Sequence, residues 1–271
     1  MTGETEPGRD RVVSGVQDSP GPGAVQRRFW DRDARRYHED HTEYLATFHW
    51  CPERLTEDEA HLLGGPDDLR GRTVVEIGCG SAPCGAWVAL HRQARVIALD
   101  ISRGMLSRIP RTPGLHPVQA DASCLPLADS CADVVFSSFG GYPFLPDLGV
   151  AVRELARVLR PCGRAVIATN HPTAWIFPDD PDELTASIPY FQDAYLEWER
   201  DDPDDPGVLR YAEYHHTTGD WVRAFTGAGL RLVDLLEPEW REGTPTWGQW
   251  SATRGRVFPG TAIFVAEKPD R

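Results

Sequence analysis

Residues 74–85 read Val74-Val75-Glu76-Ile77-Gly78-Cys79-Gly80-Ser81-Ala82-Pro83-Cys84-Gly85. A short apolar run enters two glycines and leaves into residues that can start a helix. Such a run, apolar on both faces, suits a strand covered by helices above and below, which is the setting of parallel sheets. The glycines let the backbone approach a ligand with no Cβ in the way. The helix that follows offers unpaired N–H groups to an anionic group. A strand, glycine turn and helix in this order open a doubly wound sheet, whose ligands sit beyond the carboxyl ends of the strands.

The remaining pattern extends that unit. Strands are predicted at Thr73–Ile77, Ala94–Leu99, Pro117–Ala120, Ala132–Ser137, Arg164–Thr169, Leu230–Leu236 and Thr261–Glu267. Helices are predicted near Cys84–His91, Arg103–Ile109, Leu148–Leu159 and Thr218–Ala228. This alternation predicts an α/β fold with a Rossmann-like, mostly parallel seven-stranded sheet and helices on both faces. Ahead of it, Val25, Phe29, Trp30, Ala34 and Tyr37 recur at helical spacing. Thr56-x-x-Glu59 has the form of a capping box. The expected organisation is a disordered tail over 1–23, a helical N-terminal cap over 24–70 and a ligand-binding core over 71–170. A proline-rich insertion over 171–216 caps the substrate side, and 217–271 completes the sheet with a tryptophan-rich loop.

Charge and composition narrow the partners. The formal net charge is −13, which argues against nucleic acid, since phosphate binding draws on clustered Lys and Arg. No apolar run reaches the ~20 residues of a membrane span, and no basic-then-apolar leader opens the chain. The six cysteines, Cys51, Cys79, Cys84, Cys124, Cys131 and Cys162, form no C-x-x-C pair. Reduced thiols in a cytoplasmic protein are the expectation. A homo-oligomer is compatible with this reading.

Two acids close the next two strands. Asp100, twenty residues past Gly80, can accept both hydroxyls of a ribose. Asp121, in Gln119-Ala120-Asp121-Ala122, can accept from the amino group of an adenine. These features also suit a nicotinamide dinucleotide. The dinucleotide fingerprint, however, needs glycine where this chain has Pro83, and Gly85 falls two residues late.

The chain resembles the class I S-adenosylmethionine (SAM)-dependent methyltransferases, in particular the group that methylates small molecules. The likeness runs through Glu76-Ile77-Gly78-Cys79-Gly80, Leu99-Asp100-Ile101-Ser102, Asp121-Ala122 and Leu125-Pro126-Leu127-Ala128-Asp129. It continues through Asp133-Val134-Val135-Phe136-Ser137 and Glu154-Leu155-Ala156-Arg157-Val158-Leu159-Arg160-Pro161-Cys162-Gly163. Cys162 in place of a frequent glycine, and Pro83-Cys84 after the turn, depart from the pattern. Tyr37-His38-x-x-His41, Phe48-His49-Trp50-Cys51-Pro52-Glu53, Asn170-His171-Pro172 and Glu237-Pro238-Glu239-Trp240 resemble a narrower actinobacterial type, some of whose members act in natural-product pathways. The resemblance implies SAM as cofactor and S-adenosylhomocysteine (SAH) as product. It places Gly78 and Gly80 beside the methionine part, Asp100 on the ribose and Ile101 and Met105 against the adenine. Asp121 and Ala122 would reach the adenine edge, and Tyr37 would cover the methionine end. Glu76, Cys79 and Ser137 join the expected cofactor site.

Eight of nine tryptophans lie outside 71–169, so substrate recognition is expected in the flanks. Tyr44, Trp50, Phe139 and Trp175 are the expected pocket walls for a flat acceptor. Candidate bases are His49, His171, His215, His216, Glu213 and Glu237, with His171, His49 and Glu237 as the favoured three. No metal is expected, because no Asp and Asn cluster can be placed. The specific expectation is carbon-3 methylation of a tryptophan-derived indole, with nitrogen or oxygen methylation of another metabolite as the alternative. Outside that class stand an NAD-linked oxidoreductase and a SAM-binding protein without catalysis.

Overall fold

The computed structural model describes residues 21–65, 67–199 and 207–270. Most of the tail expected over 1–23 lies outside the described residues. The first helix, α1, is Pro22–Asp40, with proline in its first turn, where the missing N–H costs nothing. A single turn, α2 (Glu57–Ala60), carries the predicted capping box between Thr56 and Glu59.

The core then runs β1 (Thr73–Ile77), α3 (Pro83–His91), β2 (Arg95–Asp100), α4 (Arg103–Leu106), β3 (Leu115–Gln119), β4 (Ala132–Ser138), α5 (Leu148–Val158) and β5 (Leu159–Asn170). The predicted helix over Arg103–Ile109 is shorter, because Pro110 drives Ile109 away from helical backbone. Next come β6 (Ala194–Glu199), β7 (Val208–Tyr214), α6 (Thr218–Gly227), β8 (Arg231–Leu236), α7 (Ala252–Gly255) and β9 (Thr261–Glu267).

Seven strands form one sheet in the order β3-β2-β1-β4-β5-β9-β8. β9 pairs antiparallel with both β5 and β8, and the other pairs are parallel. Alternate residues of each strand feed two separate cores. Val74, Val96, Ala98, Phe136, Val166 and Ile263 pack with α3 and with Phe48 and Trp50. Val75, Ile77, Val135, Ile167 and Phe264 pack with α5 and α6 through Leu155, Trp221 and Phe225. Burial on both faces explains why the strands read as continuous apolar runs. It also fixes the sheet as a rigid platform whose β1, β2 and β3 end side by side.

The insertion was expected to be irregular, but it contains an antiparallel ribbon, β6 paired with β7. α1 crosses from α4 to this ribbon, so the helix and the ribbon together roof the ends of the strands. Among the described residues, no helix is long and apolar enough to cross a membrane.

Candidate active site

β1 delivers the chain into Gly78 (φ +68°) and Gly80 (φ +57°), left-handed positions that favour glycine. A Cβ on Gly78 would sit 2.9 Å from the Gly141 backbone, so any side chain there would force two turns apart. A Cβ on Gly80 would meet nothing within 4 Å; the space over it belongs to a cavity of about 980 Å³.

Asp100 ends β2 and braces this turn. Its Oδ2 accepts from Gly80 N at 2.8 Å and its Oδ1 from Ser102 N at 2.8 Å. Burial pushes its pKa up against the pull of those N–H groups. Glu76 is buried beneath the turn, where its Oε2 accepts from Gly85 N at 2.9 Å. Burial, helped by the charge of Asp100, pushes the Glu76 carboxyl up to about 8. Asp121, just past β3, accepts from Ser123 N and Oγ at 2.9 and 2.7 Å. Tyr37, Ile101, Met105, Cys79 and Ala122 line the same end of the cavity.

α1 covers this end. Asp31 Oδ1 accepts from Ser102 Oγ and from Gly104 N, each at 2.7 Å. One acid thereby ties the helix to the loop that follows β2. Burial pushes the Tyr37 hydroxyl far above its ordinary range, so it stays protonated.

The cavity continues under the ribbon into a chamber walled by Tyr44, Phe139, Phe144, Trp175, Tyr211, Trp247 and Trp250. Phe139 has a left-handed backbone (φ +53°), a strained conformation for an aromatic residue of the kind that concentrates at functional sites. Glu213 projects from β7 into this chamber. Its Oε1 accepts from Asn170 Nδ2 at 2.9 Å and its Oε2 from Tyr211 OH at 3.2 Å. Burial and the nearby Asp179 push its carboxyl up to about 7 despite those two donors. A carboxylate poised near neutrality can take a proton and give it up again.

Of the expected cofactor residues, Tyr37, Glu76, Gly78, Cys79, Gly80, Asp100, Ile101, Met105, Asp121 and Ala122 all line the cavity. Ser137 does not: it is fully buried in β4, with its hydroxyl on Gly140 O at 3.2 Å. Its neighbour Ser138, facing the other way along the strand, reaches the cavity. Of the expected walls, Tyr44, Phe139 and Trp175 line the chamber. Trp50 is instead fully buried in the core under the sheet, donating from Nε1 to Glu57 Oε2 at 2.9 Å.

The three favoured bases lie outside the chamber lining. His171 caps the turn Pro172–Ile176: its Nδ1 accepts from Thr173 N at 3.1 Å and its Nε2 binds Glu237 Oε1 at 3.0 Å. Glu237 is thereby spent orienting a structural ring. His49 stacks on Tyr44 and holds Tyr44 O through Nδ1 at 3.0 Å. His216 donates to Leu145 O at 2.8 Å, and His215 stacks on Trp175, its pKa pushed down to about 4 by burial and by His216. The residue left in the chamber is Glu213, one acid among six candidates in the sequence. Tyr211 lies two residues before it on β7, while the bond from Asn170 carried no local signal, because it joins β5 to a ribbon about 40 residues later. Among the described residues, no three of His, Cys, Asp or Glu are grouped to hold a metal.

Residues 75–167 match the methyltransferase domain family. Over 122 residues the chain is 37% identical to a malonyl-[acyl-carrier protein] O-methyltransferase of Methylococcus capsulatus, covering 43% of this chain and 42% of that one. Over 180 residues it is 31% identical to the protein of that name from Methylovorus sp., covering 62% and 55%. The chain thus spans about half the length of these curated relatives. An S-adenosylmethionine-dependent methyltransferase of known structure from Mesorhizobium loti shares the fold at a TM-score of 0.55, with 20% identity over 79% of this chain and 98% of that one. Residues 75–167 thus carry a methyltransferase domain, and the strand order, with the cradle at the ends of β1, β2 and β3, gives the described chain the fold of the SAM-dependent methyltransferases.

Proposed function

We propose that the protein transfers a methyl group from SAM to a small, flat metabolite held in the aromatic chamber. One observation carries this: a single cavity runs from the glycine turn, Asp100 and Asp121 to the chamber that holds Glu213. Bound in the cradle, SAM supplies an electrophilic methyl on a cationic sulfur, so the protein's task is alignment. The residues present fit that ligand. Space lies open over Gly80, Asp100 lines the site at the end of β2 to accept ribose hydroxyls, and Asp121 lines it next along. Tyr37 and Trp30 cover the cradle and keep water out. Glu213 receives the proton that leaves the acceptor.

The acceptor is proposed to be an aromatic or heteroaromatic metabolite, with an indole that attacks the methyl through carbon 3 as the specific candidate. Proton loss from the indole N–H raises that carbon's nucleophilicity, and Glu213 can take the proton. The two relatives named above methylate a carrier-bound malonyl group by their names, so the acceptor here is argued from the chamber and not from them.

Calorimetry with SAH and with NAD tests the first half. SAH is expected to bind, NAD is not, and Asp100→Ala is expected to weaken SAH at least about tenfold, or 1.4 kcal/mol. Lack of affinity for both SAM and SAH would overturn the reading. A panel of indoles, quinols, phenols, aliphatic amines and aliphatic carboxylic acids, read by mass, tests the second half. Turnover of only the aliphatic amines or carboxylic acids would exclude an aromatic acceptor, and binding without turnover across the panel would favour a non-catalytic SAM-binding protein.

A further inference from the structure

The chamber's polar groups are strongly one-sided. Three acids line it beside the aromatic walls: Glu213 and Glu197 half-buried, and Asp179 exposed at the rim. No Lys, Arg or His is among the described residues that line it. Arg254, whose charge is coupled to Asp179, is itself buried outside the cavity lining and bonded to the carbonyls of Pro178, Asp180 and Glu183.

The donors that could soften these acids are already used. Tyr195 OH donates to Glu197 Oε1 at 3.0 Å, while Tyr211 OH and Asn170 Nδ2 both donate to Glu213. A fourth group is independent of the acids. Gln26, on α1, is 3% exposed and lines the same cavity, and its amide nitrogen donates to Ala212 O, next to Glu213. Its carbonyl Oε1 is buried with no hydrogen-bond partner. A buried acceptor left unpaired is costly, so a ligand that brings a donor recovers that cost.

We propose that the chamber recognises an acceptor bearing a protonated amine or a similar nitrogen cation, held by Asp179, Glu197 and Glu213 and by the Gln26 carbonyl. The proposal rests on the methyl-transfer reading and narrows its substrate class. Acids grouped beside aromatic walls favour a cation and repel an anion, and the aromatic faces add cation–π attraction. An acceptor carrying a carboxylate would be left there with no cationic partner, which is costly in a partly dehydrated site.

The test uses the full chain saturated with SAH and a set of matched ligands: tryptamine, 3-ethylindole and indole-3-propionate, with phenethylamine, ethylbenzene and hydrocinnamate as the single-ring series. In at least one series the ammonium member is expected to bind at least tenfold tighter than both the neutral and the carboxylate members. Asp179→Asn and Glu197→Gln are each expected to cut that margin at least threefold, with SAH affinity unchanged as proof of folding. Equal or tighter binding of the carboxylates, a margin that survives the double variant, or no binding by either ammonium overturns the proposal. Failure of the unaltered protein to bind SAH overturns the methyl-transfer reading instead, so the two failures are distinct.

Discussion

At the level of single residues, Glu213 shows how a site is assembled from distant parts of a chain. In the sequence it was one acid in a run of acids and aromatics. The fold half-buries it in the chamber wall and gives it Asn170 and Tyr211 as partners. With its carboxyl near 7, the ionised, proton-accepting form grows as pH rises through neutrality. Turnover at saturating SAM is therefore expected to climb between about pH 6 and 8, and Glu213→Gln should lower it about 10²-fold and remove that rise. An unchanged profile in the variant would show that Glu213 takes no proton. The glycine turn, Asp100 and Asp121 were legible because backbone conformation and strand-end position write them into local sequence. His171 and Trp50 were misread for the opposite reason. A histidine after a strand and a tryptophan outside the core segment look like site residues. Their hydrogen bonds, from Thr173 N and to Glu57, depend on side-chain placement that the sequence does not display.

At the level of elements, the central strands β1, β4, β5 and β9 could be read in advance because burial on both faces leaves apolar runs. The ribbon of β6 and β7 could not. It is covered mainly on one side, its exposed Tyr195, Trp198 and Val208 blur the alternation, and the prolines around it suggest loop. α1 was predicted as a helix, but the Asp31 link to Ser102 and Gly104 was not. Asp31→Ala removes two hydrogen bonds to a carboxylate and is expected to loosen α1. Proteolysis within 22–40 should quicken, and SAH should bind about tenfold more weakly. Unaltered protection would mean that apolar packing alone holds the helix. Glu57 plays the matching part for residues 50–63. It is fully buried and accepts from Trp50 Nε1, Leu62 N and Leu63 N at 2.9, 3.0 and 2.9 Å. Glu57→Ala leaves three donors unpaired and should cost about 3 kcal/mol or more, roughly 6–12 °C in Tm by calorimetry.

For the whole molecule, these acids set how stability follows pH. Glu76 near 8 and Glu213 near 7 keep protons in the folded state that the unfolded chain has released. Their contribution is complete below their ordinary range and is lost as pH rises through 7 and 8. Glu59, held down to about 2 by Thr56 and Arg241, works the other way: its contribution is present above the ordinary range and is lost as pH falls toward 2. Asp133 and Glu267, held down by hydrogen bonds from Thr73 and Arg160 and from Arg231 and Arg164, act in the same sense. The ligand-free protein should melt highest near pH 5–6 and lose stability toward pH 8. Glu76→Gln, which can still accept from Gly85 N, should flatten the alkaline side in a melting series; an unchanged slope would show that Glu76 is ionised in the fold.

The placement of α1 ties events that most enzymes can separate. The same helix bonds to α4 beside the cradle and to β7 beside the chamber. On the methyl-transfer reading, spent nucleoside and methylated product would both sit beneath this one helix. A substitution that loosens it is then expected to change the release of both, measured as the dissociation rates of SAH and of the product.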